Sequence, residues 1–203
     1  MVQAAQEDRK TKTRRTAGLD KVNESPNDFE LIGLFYGDKF QLQAQFDNKQ
    51  LGFVYCKPRY QVGDVMWVKE TYTIIPPNYI VYKAETENPE KCKWKSSLFM
   101  RKEYSRIYLE VTNVHCERLQ DITDSDALCE GIVPESNHKG EAYRLFVNLW
   151  EKINGKDSWL ENPWVWVYTF KKFEHTFEVK LPTEYSDDVK NIINKCKIHI
   201  EKP

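Results

Sequence analysis

Trp164-Val165-Trp166-Val167-Tyr168-Thr169-Phe170 is apolar or aromatic at six of its seven positions. Both faces of such a run are apolar, and its β-branched and aromatic residues favour a pleated strand. The stretch therefore reads as a central strand covered on each side, which demands a layered fold. Upstream, 105–119 alternates Ile107, Leu109 and Val111 against Tyr108, Glu110 and Thr112, the pattern of a long half-buried strand. Shorter strands are expected at 51–55, 65–70 and 79–84, with weaker signals at 29–35 and 39–46. Gly37-Asp38 and Gly63-Asp64 are turns, and Pro76-Pro77-Asn78 breaks the chain. Tyr143, Phe146, Val147 and Trp150 fall at i, i+3, i+4, i+7, the stripe of a helix starting near Gly140 and ending at Asn154-Gly155-Lys156. Thr123 is an N-cap with Asp126 three residues on, and Gly131 closes that shorter helix. A third short helix is expected over 2–9.

Five or more strands with two or three short helices, and no βαβ alternation, predict an α+β fold built on a small mixed barrel flanked by short helices. Residues 1–174 form the domain. Residues 175–203 form a charged C-terminal extension, helical near 186–196. No GxGxxG or GxxxxGK[ST] occurs, which removes dinucleotide and P-loop chemistry.

The 203 residues carry 30 basic and 31 acidic side chains, a net charge of −1 that argues against a general polyanion coat but leaves room for a local basic site. No apolar run approaches the ~18 residues of a membrane span, so no membrane partner is expected. Cys56, Cys92, Cys116, Cys129 and Cys196 are odd in number and form no CxxC pair, which fits a reduced, cytoplasmic chain. The four histidines are scattered, so neither a metal nor a cofactor is expected.

Three features could carry chemistry. RKTKTRR (9–15) places five cations in seven residues, interleaved with Thr11 and Thr13. It reads as a solvated basic loop or as a contact for phosphate. A threonine beside a desolvated lysine is also a candidate nucleophile. Trp67, Tyr72, Trp94 and Tyr104 supply rings. Trp67 reads as core, whereas Trp94, among Lys91, Lys93, Lys95, Arg101 and Lys102, could stack on a base. Glu70 and Glu130 read as surface carboxylates, or as acid–base groups if held near the cations.

RKTKTRR is followed in order by GDVMWVKET (63–71), WKSSLFMR (94–101), SRIYLEVT (105–112), ERLQDI (117–122), DALCEGI (126–132) and NPWVWV (162–167). In this order of motifs the chain resembles the ASCH domain of the PUA-like superfamily, in its phage and prophage-borne group, over roughly residues 2–173. The resemblance implies a small β-barrel with a cleft for RNA, a nucleoside or a modified base. Some small ASCH proteins are amidohydrolases that remove the acetyl group of N4-acetylcytidine with a lysine, a threonine and a glutamate; others are ribonucleases or binding modules. Their GRKTxTxR stretch is matched by Lys10 and Thr13, with Asp8 in place of the glycine, and their Ala-x-x-Glu by Ala127 and Glu130. The expected catalytic set is thus Lys10, Thr13 and Glu130. The expected ligand contacts are Arg9, Thr11, Arg14, Arg15, Trp67, Glu70, Trp94 and Arg101.

Overall fold

The structure, a computed structural model, describes residues 2–36, 42–75, 79–87, 90, 92–136 and 138–173. The Gly37-Asp38 turn, the Pro76-Pro77-Asn78 break and the extension at 175–203 with its expected helix lie outside the described residues. The chain divides into two compact units, one formed by residues 3–66 and 109–172, the other, among described residues, essentially by Trp67–Tyr108.

In the first unit, β1 (Lys12–Arg15), β9 (Trp164–Phe173), β8 (Tyr108–Arg118) and β5 (Val65–Trp67) lie side by side in that order. A second, antiparallel sheet orders β2 (Glu30–Tyr36), β3 (Leu42–Asn48) and β4 (Gly52–Cys56). The α-helices described there are the short α1 (Val2–Gln6), α2 (Asp20–Asn23) and α3 (Asp124–Cys129), and the longer α4 (Glu141–Asn154). The fold is a strand-rich α+β arrangement with few, mostly short helices.

Strand β9 shows why its sequence is apolar throughout. Trp164, Trp166 and Tyr168 pack with Leu42, Ala44 and Phe46 of the second sheet, the Phe46 and Trp164 rings meeting edge-on at 5.0 Å. Val165 and Val167 point the other way, into a second core with Ala127 of α3 and Phe146 and Trp150 of α4. Each fully buried side chain of this size contributes about 1.5–3 kcal/mol. The expected stripe on α4 is the face that enters this core. Thr123 caps α3 with a reciprocal Asp126 bond, as the sequence led us to expect.

The expected strand over 65–70 stops at Trp67; beyond it the Glu70 N–H is bonded to the Met100 sulfur instead of to a neighbouring strand. In the second unit β6 (Tyr72–Ile75) and β7 (Tyr79–Tyr82) form a hairpin, and the charged stretch after it holds single 3-10 turns at Ser97–Phe99 and Lys102–Tyr104. No helix among the described residues is long and apolar enough to cross a membrane. Cys56, Cys116 and Cys129 are free thiols.

Candidate functional site

The basic segment is not a loop. Its second half is β1, paired antiparallel to β9 with Thr13 opposite Tyr168 and Arg14 opposite Val167. Alternation then sorts its side chains. Arg14 shares the face of Val167, toward α3 and α4, while Thr13 and Arg15 share the face of Tyr168 and Trp166.

On the helix side the cations meet carboxylates. Lys10 Nζ donates to Glu130 Oε2 at 2.6 Å and to the Glu130 carbonyl at 2.9 Å. Lys12 Nζ donates to Asp126 Oδ1 at 2.6 Å. Arg14 donates through Nε and Nη2 to Glu117 Oε1, at 3.0 and 2.8 Å, and through Nη1 to Glu130 Oε1 at 3.3 Å. The side chains of Glu130 and Lys10 are only 5% and 10% exposed, so the surface reading of this glutamate is overturned. Burial lowers the pKa of Lys10 from the ordinary lysine value, more than the neighbouring Glu130 raises it.

The chain ends that hold this pair are tight. Lys10 and Glu130 form an isolated antiparallel bridge, with Lys10 N–H bonded to the Ala4 carbonyl and Thr11 N–H to that of Cys129. Gly131, at φ +87°, follows; a Cβ there would stand 3.0 Å from Ala4 Cβ and 3.1 Å from Lys10 Cβ. Both the backbone angle and the space select glycine.

Thr13 is buried, and its hydroxyl accepts from Arg15 Nη1 at 2.7 Å. It belongs to the opposite face of β1 from Arg14 and has no hydrogen bond to Lys10. Arg9 is exposed and pairs with Glu7 at 2.7 Å, and Thr11 uses its carbonyl to accept from Phe170 N–H. Arg14, Arg15, Glu130, Phe146, Trp150 and Asn154 are among the residues lining a hollow of about 280 Å³ along α4. The Trp150 indole N–H is buried without a hydrogen-bond partner.

The other expected ligand residues belong to the second unit. Glu70 is 1% exposed and takes a two-pronged bond from Arg106, at 2.9 and 2.8 Å, which again overturns a surface reading. Arg106 also pairs with Glu85 and lies 3.9 Å from the centre of the Tyr82 ring. Burial raises the Tyr82 hydroxyl to about 12. Trp67 is half-buried with Lys69 Nζ 5.2 Å over its ring; Trp94 is half-buried and Arg101 exposed. Among the described residues no group of three or more His, Cys, Asp and Glu is placed to hold a metal ion.

Sequence reasoning missed that Lys12, Asp126, Glu117 and Arg106 are members of these networks. The signal for the first was present: in KTKTRR the cations Lys10, Lys12 and Arg14 recur at period two, the mark of one strand face.

The acids in the network set a pH dependence. Burial alone would raise Asp126, but the bonds from Lys12 and Thr123 outweigh it and hold it at about 2; His115 and Arg14 likewise lower Glu117 against its burial. A carboxylate depressed in the folded state stabilises it above its unfolded pKa and loses that contribution as pH falls through the folded one. Urea midpoints are expected to fall as the pH is lowered from about 4 toward about 2. Asp126→Asn should flatten the decline; an unchanged profile in that variant would contradict the assignment.

No family model matches the chain, and neither does any curated protein or solved structure.

Proposed function

We propose that the chain is an ASCH-type, PUA-like domain that binds a nucleoside or a base of RNA beside Lys10 and Glu130 and hydrolyses an N4-acyl amide of cytidine, with 175–203 as an appended extension. The observation that carries this reading is the buried Lys10 amine, its pKa lowered, in direct contact with Glu130 at 2.6 Å. Burial that disfavours the Lys10 ammonium makes its amine form easier to reach, and that form is a base whose proton a carboxylate in contact with it can relay. Asp8 adds support. It stands where the motif has glycine, and its φ of 53° is a left-handed conformation that suits glycine and that aspartate tolerates.

The proposed reaction uses water as the nucleophile, because the Thr13 hydroxyl is held by Arg15 on the other face of β1. In the fraction of molecules whose Lys10 is the free amine, Lys10 takes a proton from water as the oxygen attacks the acyl carbon. That proton passes to Glu130 and on to the exocyclic nitrogen as the C–N bond breaks. The products are the carboxylic acid and the free amine.

A second reading, a base-binding module without catalysis, is favoured by the pairing of Lys10, Lys12 and Arg14 with carboxylates, which would make the same network purely structural. Incubation with N4-acetylcytidine, as nucleoside and within RNA, separates the two. Deacetylation is expected, reduced about 10²–10⁴-fold in Lys10→Ala and little changed in Thr13→Ala. No turnover by the wild-type protein removes the hydrolase. An equal loss in both variants returns the nucleophile to Thr13.

A further inference from the structure

The basic segment that the sequence marks for phosphate has little charge left to offer. Arg9, Lys10, Lys12 and Arg14 each face a carboxylate within 3.3 Å. The second unit shows the reverse. Lys93, Lys95, Arg101 and Lys102 are exposed, and among the described residues none of them is in an ion pair. Between the first and last pairs of these cations stand Leu98 and Phe99, 69% and 74% exposed.

This turn is built to keep its apolar tips out. Ser96 caps it by accepting from Leu98 N–H, and Phe99 and Met100 N–H bond back to the Ser96 and Ser97 carbonyls at 3.1 Å. Lys95 is bridged to Tyr72 of β6 by two main-chain bonds, of 3.2 and 2.7 Å. Lys69 Nζ donates to the Leu98 carbonyl at 3.0 Å, and Met100 is buried, its sulfur accepting from Glu70 N–H. These bonds fix the backbone of the turn while Leu98 and Phe99 stand exposed on it.

We propose that the turn at 93–102 is a binding surface for a single-stranded polynucleotide, with Phe99 stacking on a base and Lys93, Lys95, Arg101 and Lys102 contacting flanking phosphates. This deepens the function proposed above by making the ligand a strand rather than a free nucleoside, and it rests on that reading only for the chemistry done on the base. Rings and cations in alternation are what single strands need, since every base has a face to stack and every linkage a charge. Another exposed aromatic surface among the described residues, Phe35, Phe53 and Tyr55 on the outer face of β2–β4, carries Glu30 and Asp47 and has the wrong charge. An anionic bilayer is the lesser fit. Two apolar side chains offer about 3–6 kcal/mol, and even one myristoyl chain anchors a protein only marginally.

The test is fluorescence anisotropy of the full chain with a labelled twelve-nucleotide oligouridine over a salt series. Phe99→Ala, at a position exposed enough to leave the melting temperature unchanged, is expected to weaken binding by about 5- to 150-fold. Arg101→Gln with Lys102→Gln should lower the slope of log K against log salt by about 1.4. Tyr55→Ala should bind as the wild type does. The proposal is overturned if the oligomer does not bind, if a duplex of that length binds equally well, if Tyr55→Ala loses as much as Phe99→Ala, or if only phosphatidylserine vesicles are bound. Turnover of free N4-acetylcytidine without oligomer binding would sink the strand surface alone. Binding that depends on Phe99 without deacetylation would sink the hydrolase alone.

Discussion

Glu130→Ala is expected to cost about 3–5 kcal/mol of folding stability, a large part of the 5–15 kcal/mol that holds a typical domain together. The carboxylate is nearly inaccessible to water and is shared by Lys10 on one oxygen and Arg14 on the other. Its removal leaves the Lys10 ammonium with the Glu130 carbonyl as its remaining hydrogen-bond acceptor. The sign of the pH dependence identifies the cause. In the wild type Glu130 raises the Lys10 pKa against the larger effect of burial, so without it that pKa falls further. A lysine depressed in the folded state gains stability as pH rises through its folded value, because the unfolded chain then binds more protons. The gap between variant and wild type should therefore narrow as the pH is raised toward the ordinary lysine value. Lys10→Met in the Glu130→Ala background should recover much of the loss, since the stranded charge is gone. Urea unfolding of the four proteins of this cycle measures it. A cost below about 1 kcal/mol, flat in pH, would mean the pair is solvated.

The elements that proved legible are those whose residues report their own surroundings. Trp164 to Phe170 could be assigned to a central strand because a run with no polar face has nowhere else to go, and the two cores on either side of β9 are that inference made visible. Thr123 and Asp126 announced a helix start through local bonds, and Gly131 its end. The carboxylate partners were not legible, because Lys10 and Glu130 are 120 residues apart and only the fold brings them together. Nor does charge alone tell a buried pair from a solvated one. Lys10 and Arg101 look alike as letters, yet one is locked to an acid and the other stands in solvent. Treating RKTKTRR as a loop hid the one local clue, since strand alternation separates Thr13 from Arg14. The candidate residues fall in two local settings, a neutralised network and a cationic turn whose charges make no ion pair among the described residues.

Arg14→Met should be as damaging as the loss of Glu130, about 3–5 kcal/mol, but with the opposite response to pH. Arg14 has 1% of its side chain exposed and binds Glu117 with two nitrogens and Glu130 with a third, while its guanidinium also lies 3.8 Å from Asp126. It is flanked by the Phe146 ring at 5.9 Å, so methionine replaces its stem without opening a large void. What disappears is the cation between acids. Arg14 is one of the groups that hold Glu117 below its ordinary value, so removing it raises that pKa in the folded protein. The wild type loses this contribution as the pH drops and the variant has less to lose, so their stabilities converge toward acid. A packing defect would shift both proteins in parallel at every pH. Arg14→Lys should restore only part of the loss, because one ammonium cannot span two carboxylates as the planar fork does. Convergence toward acid for Arg14→Met, together with convergence toward alkali for Glu130→Ala, can arise only if the two residues stabilise the fold as charges. Parallel curves for either variant would reduce the network to ordinary packing.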